Sequence, residues 1–414
     1  RCLVCSDIPC ILIKLKKAIK ANENNIYEAL SADFKKSQFE TYATEIGVLY
    51  EEISCMLKNI KKWATPQLVT DTIANFPSRN YIYNDPYGVC LIIGAWNYPL
   101  SLTLAPVIGA IAAGNTCIIK PPRASIHAYR IIQKIIADNF NENYLTVLDE
   151  YSDNNEMLSH RYDYIFFTGS VEVGRTIAKA AAEFLTPTTL ELGGKSPCII
   201  DKQADIVVAA KRVAWGKFLN GGQTCIAPDY LLLHHDVKEK FYTAFKNSLK
   251  EFYGNNPQDS ADFPRIINDK HFNRLSSMIT DGKIITGGKT DEDTRYIAPT
   301  LIEIDSLEHP LMRDEIFGPI LPVLTIHSID EAISIVKKFD KPLAFYIFSN
   351  NYANQQKCLH TVQFGGGCIN DTLAHFVNDG LPFGGVGNSG IGAYHGKFSF
   401  DTFTHRKAIL NKVF

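Results

Sequence analysis

One cysteine in the sequence lies where a nucleophile could act. Cys225 follows the polar loop at 220–223, in which two glycines permit unusual backbone angles, so a substrate could reach its thiol. Near a helix start or a positive charge, the pKa of such a thiol falls from about 8.5 toward neutrality, and the thiolate is the nucleophilic form. A loop cysteine considered alone is more often inert, so both interpretations stay open.

One carboxylate has a comparable position. Glu191 lies near the end of the strand-like run at 188–192, and this run is followed directly by Gly193 and Gly194. A strand that ends in glycines often presents one polar group to a cleft, and partial burial there would raise the pKa of the carboxylate enough for a general base near neutral pH. The alternative is an ordinary edge glutamate that pairs with a lysine such as Lys195.

The run at 166–174 predicts a binding site for an anion. Its residues are typical of a strand, a tight turn and the start of a helix. Gly169 would let a ligand approach the backbone, and Gly174 would let the helix pack closely. Because backbone N–H groups at a helix start bind phosphate, this turn could hold a pyrophosphate. A plain turn between strand and helix is the alternative.

A literal G-x-G-x-x-G motif occurs elsewhere, at Gly385, Gly387 and Gly390. A dinucleotide fingerprint requires a preceding strand, a following helix and an acidic residue about 20 positions later. The flanking residues at 381–383 and 394–396 indicate a glycine-rich loop instead. We therefore do not assign phosphate binding to this motif.

The elements around these motifs indicate an α/β protein. At about 150 residues per domain, the 414 residues should form two or three domains. Short apolar strands alternate with helices, which predicts a doubly wound parallel sheet with ligands at the carboxyl ends of its strands. The predicted strands are 89–93, 116–120, 144–148, 164–168 and 188–192, and the helices between them are about 100–113, 124–139, 154–160 and 172–184.

Two further regions flank this series. An amphipathic helical pattern runs from 14 to about 62, and a second α/β series runs from 196 to about 367. In the second series we expect helices near 205–219 and 237–252 and strands near 230–233 and 322–325. No free tether separates the two α/β series, so we expect the domains to pack directly, with a cleft between them.

Composition excludes several classes of function. The chain is 46% hydrophobic and 21% charged, which is typical of globular proteins, and its net charge of −2 provides no basic field for nucleic acid. No run reaches the roughly 18 apolar residues of a membrane-spanning helix, and the segment 8–15 is too short and too interrupted for a secretory signal. We expect a cytoplasmic protein without a membrane anchor.

The ten cysteines are scattered along the chain, and most lie in apolar strings where cysteine acts as a small hydrophobic residue. Only Cys2 and Cys5 form a CxxC pair, and no second pair follows at zinc-finger spacing. We therefore expect no metal site and no disulfide framework.

Together, the motifs resemble those of the aldehyde dehydrogenase family, and are most similar to its class 3 or fatty-aldehyde-type branch. The resemblance covers nearly the whole chain, from about 14 to 407. It is carried by an ordered series of strings: GAWNYP at 94–99, IKP at 119–121, FTGS at 167–170, ELGGKSP at 191–197, GQTC at 222–225, EIFGP at 315–319 and LPFGG at 381–385. A chance match would have to recur at each string in order.

The resemblance implies roles for three catalytic residues. Cys225 would attack the aldehyde carbonyl to form a thiohemiacetal, and hydride loss would then give a thioester. The side-chain amide of Asn97 and the backbone N–H of Cys225 would stabilise the oxyanion, where one donor is typically worth about 10²–10³ in rate. Glu191 would activate the water that hydrolyses the thioester.

The resemblance also implies a bound NAD or NADP. Lys120 would hold the adenosine ribose, Glu315 the nicotinamide ribose, and Phe317 would lie beside the nicotinamide ring. The pyrophosphate turn would contain Thr168, Gly169, Ser170 and Gly174.

Arg123 departs from the pattern of the family, in which many members carry a glutamate at this position that binds the ribose hydroxyls and repels a 2′-phosphate. A guanidinium instead suits a phosphate, so we expect NADP to be accepted at least as well as NAD. The alternative is that Arg123 points to solvent.

For the substrate, the resemblance places Tyr98, Trp215 and Phe383 along an apolar funnel to Cys225, which favours medium-chain to long-chain aliphatic or aromatic aldehydes. It also implies a homodimer, in which 80–87 and 398–414 form a small β element that bridges domains and subunits. The cofactor domain would comprise 1–79 and 88–192, and the catalytic domain 193–397.

Two other functions compete with this interpretation. An acyl-transferring enzyme, such as a CoA-acylating dehydrogenase, would pass the acyl group to another acceptor, and the presence of Glu191 argues against it. A non-catalytic binding protein on the same fold would be expected to lack Cys225, Asn97 or Glu191, and all three are present.

Overall fold

The computed structural model describes residues 7–279 and 282–413, so the CxxC pair of Cys2 and Cys5 lies outside the described residues. The helices are α1 (Ile8–Ala21), α2 (Glu23–Phe34), α3 (Gln38–Thr41), α4 (Gly47–Ala64), α5 (Ser101–Ala112), α6 (Ile126–Ala137), α7 (Asn154–Ser159), α8 (Val171–Glu183), α9 (Ile206–Phe218), α10 (Lys238–Tyr253), α11 (Asp269–Ser276), α12 (Ile329–Val336), α13 (Tyr352–Thr361) and α14 (Lys397–Thr402). A π-helical turn, Tyr42–Ile46, joins α3 to α4.

The strands are β1 (Gln67–Val69), β2 (Ser78–Pro86), β3 (Val89–Ile93), β4 (Thr116–Lys120), β5 (Leu145–Val147), β6 (Tyr164–Thr168), β7 (Thr188–Glu191), β8 (Pro197–Ile200), β9 (Tyr230–His234), β10 (Lys283–Thr286), β11 (Thr290–Asp291), β12 (Tyr296–Ile297), β13 (Thr300–Glu303), β14 (Ile320–Ile326), β15 (Ala344–Phe348), β16 (Gly366–Ile369), β17 (Gly390–Ile391) and β18 (Thr404–Lys412). Each strand predicted for the first half of the chain is present, with ends that differ by at most one residue.

The first large sheet has the order β17-β7-β6-β3-β4-β5, and its pairs are parallel except for β17 with β7. The chain moves outward from β3 to β4 and β5, then returns to β6 on the other side of β3. This reversal confirms the doubly wound arrangement, in which ligands bind at the carboxyl ends of the strands that flank the switch point.

The second large sheet has the order β10-β13-β14-β9-β8-β15-β16 and is parallel except for its edge strand β10. Its interior strands β9 and β15 are buried along their whole length, as expected for a sheet covered on both faces. The predicted second α/β series is therefore present.

A third, antiparallel sheet is formed by β1, β2 and β18. Strand β2 pairs with β18 along nine residues of each strand, which brings the segment near residue 80 together with the end of the chain. The predicted bridging segment 398–414 is only partly β-structure, because α14 extends to Thr402 before β18 begins.

Helix α5 packs against helix α4 and strands β3 and β4, and all twelve of its residues are buried. A helix that is apolar on every side belongs inside a protein, which explains why the sequence 101–112 has almost no polar residues. The backbone N–H groups of Leu100 and Ser101 at its start donate to the carboxylate of Glu45 from the π-helical turn. This contact fixes the segment just before α5, which carries Asn97.

Among the described residues, no helix is both long and apolar enough to cross a membrane.

Candidate active site

The loop before Cys225 has an unusual backbone. After α9 ends at Phe218, Asn220, Gly221 and Gly222 all have positive φ angles of 53°, 62° and 75°. A Cβ atom at Gly222 would lie 2.3 Å from the carbonyl oxygen of Gly318, so only glycine fits at that position. The chain therefore turns sharply and presents Cys225 to a cavity instead of continuing the helix.

Side-chain hydrogen bonds hold this loop against the segment that carries Asn97. The Asn97 amide donates to the carbonyl of Gln223 at 3.0 Å, and the Asn220 amide donates to the carbonyl of Asn97 at 2.8 Å. The hydroxyls of Tyr98 and Thr224 are 2.6 Å apart. The side-chain amide of Asn97 is thus held against Gln223, which precedes Cys225 by two residues. This contact uses one N–H of the amide, and the amide has a second N–H that could donate to a ligand.

Cys225 and Glu191 line one cavity of about 860 Å³. Tyr98, Trp215 and Phe383 line the same cavity, as does Thr168 from the predicted pyrophosphate turn. The structure therefore brings together the candidate nucleophile, the candidate base and the three candidate substrate contacts. Asn97 adjoins them through its bond to the Cys225 loop.

The carboxylate of Glu191 is buried without a partner. The residue is 2% exposed, and neither of its carboxylate oxygens has a hydrogen bond. Burial raises the pKa of Glu191 well above its ordinary value. The alternative pairing with Lys195 is wrong, because Lys195 contacts Asp229. An unpaired carboxylate in the same cavity as the candidate nucleophile is suited to accept a proton.

The expectation of a lowered thiol pKa at Cys225 is also wrong. Burial raises the pKa of the Cys225 thiol, and the nearby carboxylates of Glu315 and Glu191 raise it further, while backbone N–H groups oppose the effect. The loop supplies no cation close to the sulfur in compensation. In this state the thiol is protonated near neutral pH, so its activation requires a base or a change in local charge.

The turn between β6 and α8 has the features expected of an anion site. Ser170 caps α8 by accepting a hydrogen bond from the N–H of Val173, and Gly174 packs so closely that a Cβ would lie 2.6 Å from a methyl group of Leu192. Gly169 has no room for a side chain either, since a Cβ would lie 2.5 Å from the Phe167 ring. The Thr168 hydroxyl is buried without a partner, which leaves a hydrogen-bonding group for a ligand.

Two cations lie at the end of β4 and just beyond it. Lys120 is 5% exposed and donates to the carbonyl of Asp149 at 3.0 Å, and burial followed by the charge of Arg123 lowers its pKa. Arg123 is exposed and donates to the carbonyl of Ser152 at 3.0 Å. Arg123 therefore faces solvent with one contact to the backbone, close enough to Lys120 to act on the same ligand.

Glu315 and Phe317 approach the site from the loop that precedes β14 of the second large sheet. A Cβ at Gly193 would lie 2.1 Å from the carboxylate of Glu315, so this glycine makes room for the side chain. Burial and the neighbouring Asp229 raise the pKa of Glu315 to about 8. Phe317 has a positive φ of 51°, and its ring meets the edge of Trp96 at 5.2 Å between centroids.

These groups fit a dinucleotide. The turn offers an unpartnered hydroxyl and a capped helix start for a pyrophosphate, and Lys120 and Arg123 offer positive charge for the adenosine end.

The rejected G-x-G-x-x-G motif has a structural role. Its last glycine, Gly390, begins the short strand β17, which pairs with β7 in the register Gly390 to Glu191. The backbone N–H of Leu192 also donates to the carbonyl of Ser389. The loop thus supports the strand that carries the candidate base.

Sequence reasoning missed the contribution of the N-terminal helices. Lys36 and Glu45 form a fully buried ion pair at 3.3 Å, and the ammonium group of Lys36 also lies 3.5 Å from the carbonyl of Asn97. Glu40 accepts a hydrogen bond from the N–H of Asn220, and burial raises its pKa to about 7. The charges in this amphipathic segment look like an ordinary solvated face, so the sequence held no signal that these three, together with Asp33 and Glu52, are buried.

One group of metal-ligating types occurs among the described residues, at His234, His235 and Asp236. Both ring nitrogens of His234 already have protein partners, the carbonyl of His327 and the N–H of Asp236. In the sequence this cluster comes at the end of β9, after Cys225, and its residues do not line the cavity described above.

Known proteins resemble this chain along almost its full length. The family model for the aldehyde dehydrogenase family matches residues 6–409. The 4,4′-diaponeurosporen-aldehyde dehydrogenase of Staphylococcus aureus is 48% identical over 404 residues, which is 97% of this chain and 88% of that protein. The dimeric NADP-preferring aldehyde dehydrogenase of Rattus norvegicus is 44% identical over 96% of this chain and 88% of its own.

A solved structure of Staphylococcus aureus AldH in a substrate-bound state superimposes with a TM-score of 0.97 at 47% identity, covering 99% of this chain and 90% of that one. The resemblance, the fold class and the use of NAD or NADP expected from the sequence strings are confirmed. The chain belongs to the aldehyde dehydrogenase family, as an NAD(P)-dependent oxidoreductase that converts aldehydes to carboxylic acids.

Proposed function

We propose that Cys225 is the nucleophile of this oxidation and Glu191 the general base. The observation that carries the proposal is that both side chains line one cavity, where the carboxylate of Glu191 is buried and has no hydrogen bond. The Asn97 amide, fixed against the carbonyl of Gln223, and the backbone N–H of Cys225 would donate to the oxyanion.

The proposed reaction uses these groups in order. The Cys225 thiol gives its proton to water, which passes it to bulk solvent, and the sulfur adds to the aldehyde carbon, so that the carbonyl oxygen becomes an oxyanion facing Asn97. Loss of hydride from the same carbon restores the carbonyl as a thioester. Glu191 then takes a proton from water, the resulting hydroxide attacks the thioester, and the carbon–sulfur bond breaks to release the acid. Bound NAD or NADP supplies the hydride acceptor.

Hydrolysis, and not transfer to another acceptor, is favoured because Glu191 has no partner that would prevent it from accepting a proton from water.

For the cofactor, we propose that Lys120 and Glu315 hold the two riboses. Phe317 would lie beside the nicotinamide, and Thr168, Gly169 and Ser170, with Gly174 packing the helix behind them, would form the pyrophosphate turn.

We propose that Arg123 permits binding of NADP. Its guanidinium is exposed and has one backbone contact, so it is free to meet a 2′-phosphate. Replacing Arg123 with glutamate should lower kcat/KM for NADP relative to NAD by about tenfold or more, since a charge-assisted contact becomes a like-charge one. Steady-state kinetics with both cofactors measures the ratio, and an unchanged ratio would contradict the assignment.

We propose that the substrates are neutral aldehydes of medium or long aliphatic chain, or aromatic aldehydes. A cavity of about 860 Å³ exceeds the need of a short aldehyde, and aromatic side chains contribute much of its wall. The described lining residues include no lysine or arginine. They do include six acidic residues, Glu40, Glu51, Glu52, Glu191, Asp262 and Asp379.

This charge distribution makes a specific prediction. The enzyme should oxidise butanal, hexanal and benzaldehyde, whereas 4-oxobutanoate, which has the chain length of butanal, should have a kcat/KM lower by about 10²-fold because like charges in a binding site cost several kcal/mol. Reduced cofactor is followed by absorbance. Equal efficiency with butanal and 4-oxobutanoate would exclude the proposed charge selection, and no oxidation of any neutral aldehyde would exclude the substrate class.

We also propose a homodimer, with 80–87 and 398–414 as a bridging element between a cofactor domain (1–79 and 88–192) and a catalytic domain (193–397). The support is strand β18, an edge strand whose residues after Thr404 are exposed. Light scattering coupled to size exclusion measures the mass, and a monomer at micromolar concentration would contradict the proposal.

We propose the cytoplasm as the compartment. The eight cysteines within the described residues are free, as expected in a reducing environment. Protein isolated from its source with its thiols blocked should show them all reduced, and a native disulfide would contradict this location.

A further inference from the structure

The segment that carries Glu315 and Phe317 is held by charged side chains from three other parts of the chain. We propose that Lys195, Asp229 and Arg274 are positioning residues, a clamp that fixes this segment for the cofactor. The proposal rests on the cofactor roles proposed above for Glu315 and Phe317.

Ile316, between the two cofactor residues, is anchored through both of its backbone groups. Its N–H donates to a carboxylate oxygen of Asp229 at 2.9 Å, and its carbonyl accepts from the guanidinium of Arg274 at 2.6 Å. Bonds to ionised groups are stronger than neutral ones, so this residue is tightly fixed. Glu315 and Phe317, on either side of Ile316, are thereby held in one relative orientation.

Backbone conformation at Phe317 makes the anchoring necessary. Its φ of 51° lies in the left-handed region, which costs a residue with a side chain free energy and persists only where the surroundings enforce it. The bond from Arg274 reaches the peptide group directly before this residue. Without it, the segment is free to relax, and the Phe317 ring would leave its contact with Trp96.

Lys195 extends the clamp backward along the same segment. Its ammonium group donates to Asp229 at 2.5 Å, to the carbonyl of Leu311 at 2.9 Å and to the carbonyl of Asp314 at 3.0 Å. These contacts use all three of its N–H donors. The side chain is buried, so water is not available to bond its ammonium group and these three contacts take the place of hydration.

The clamp also joins the chemistry to the cofactor segment. Lys195 lies four residues after Glu191, and Asp229 lies four residues after Cys225. One ion pair therefore connects the chain that carries the base, the chain that carries the nucleophile and the segment that carries the cofactor residues. Of these three parts, Arg274 from α11 hydrogen-bonds to the cofactor segment, through Ile316, so substituting Arg274 tests the hold on that segment while leaving the ion pair of Lys195 and Asp229 in place.

The test compares two reactions of the intact enzyme. Oxidation of hexanal needs cofactor, whereas hydrolysis of an activated ester such as p-nitrophenyl acetate needs only a nucleophile and a base. Arg274→Met should raise KM for NAD(P) about tenfold through loss of a charge-assisted hydrogen bond, and ester hydrolysis without cofactor should stay at the wild-type rate. Arg274→Lys should recover part of the lost cofactor affinity.

Lys270→Met is the matched control, because it removes an exposed cation from the same helix. It should leave both reactions unchanged. If Arg274→Met does not yield folded protein, Arg274→Lys decides through the same two assays, with a smaller rise in KM expected.

Three results would overturn the clamp: equal loss of both reactions in the Arg274 variants, an unchanged KM for the cofactor, or the same rise in the Lys270→Met control. Glu315→Gln distinguishes a failure of the proposed cofactor role of Glu315 from a failure of the clamp. An unchanged KM for the cofactor in that variant means that the cofactor role of Glu315 fails. A raised KM there, with no change in the Arg274 variants, means that the clamp alone fails.

Discussion

Cys225→Ser should abolish aldehyde-dependent reduction of NAD(P), with a loss of at least about 10⁴ in kcat, because removal of a covalent nucleophile takes away the whole reaction path. A serine hydroxyl is a far weaker acid than a thiol, and two carboxylates already oppose ionisation at this position. Absorbance of the reduced cofactor with hexanal as substrate measures the effect.

Cys368→Ser is the matched control, since Cys368 is also a partly buried, free cysteine but does not line the cavity. Its variant should retain activity. Substantial aldehyde oxidation by Cys225→Ser, or equal losses in both variants, would mean that the nucleophile is another group.

Glu191→Gln should slow the steady state by about 10²–10⁴, the usual contribution of a general base, while the first turnover still produces reduced cofactor. Glutamine keeps the size of the side chain but cannot accept a proton, so the thioester should accumulate on Cys225. Rapid-mixing absorbance would show a burst of one equivalent, and mass spectrometry would show the acyl group on the protein.

The pH dependence follows from the same residue. The pKa of Glu191 is raised by burial, so its base form is populated only above the ordinary glutamate range, and thioester hydrolysis in the wild type should rise with pH through that raised pKa. Glu191→Gln should lose this rise. Glu183→Gln, at an exposed glutamate at the end of α8, is the control. No burst, or an unaltered pH profile, would contradict the assignment.

Much of the architecture follows from local patterns. The apolar runs at 89–93 and 164–168 are strands in the structure with the predicted ends, because buried parallel strands are continuous apolar runs of β-branched and aromatic residues. The completely buried helix α5 was also visible as an apolar stretch. Such elements depend on residues close together in the chain.

The electrostatics of the site could not be predicted in this way. The pKa of the Cys225 thiol depends on Glu191 and Glu315, which lie 34 residues before it and 90 residues after it in the chain. Sequence context near Cys225 suggests an accessible loop and therefore a lowered pKa, whereas burial of the thiol and the two nearby carboxylates have the opposite effect. The buried pair of Lys36 and Glu45 was missed for the same reason, since burial of a charge is decided by what packs over it.

The pairing of Gly390 with Glu191 has a consequence for the interpretation of genetic data. A Cβ at Gly390 would lie 2.5 Å from the carbonyl oxygen of Leu190, and one at Gly385 would lie 2.1 Å from the carbonyl oxygen of Ser389. Missense variants at these glycines would therefore displace Glu191, the proposed base, without removing any reacting group. In a saturation mutagenesis screen they would score as severely as active-site variants, and their position in a literal nucleotide-binding pattern would invite the wrong explanation.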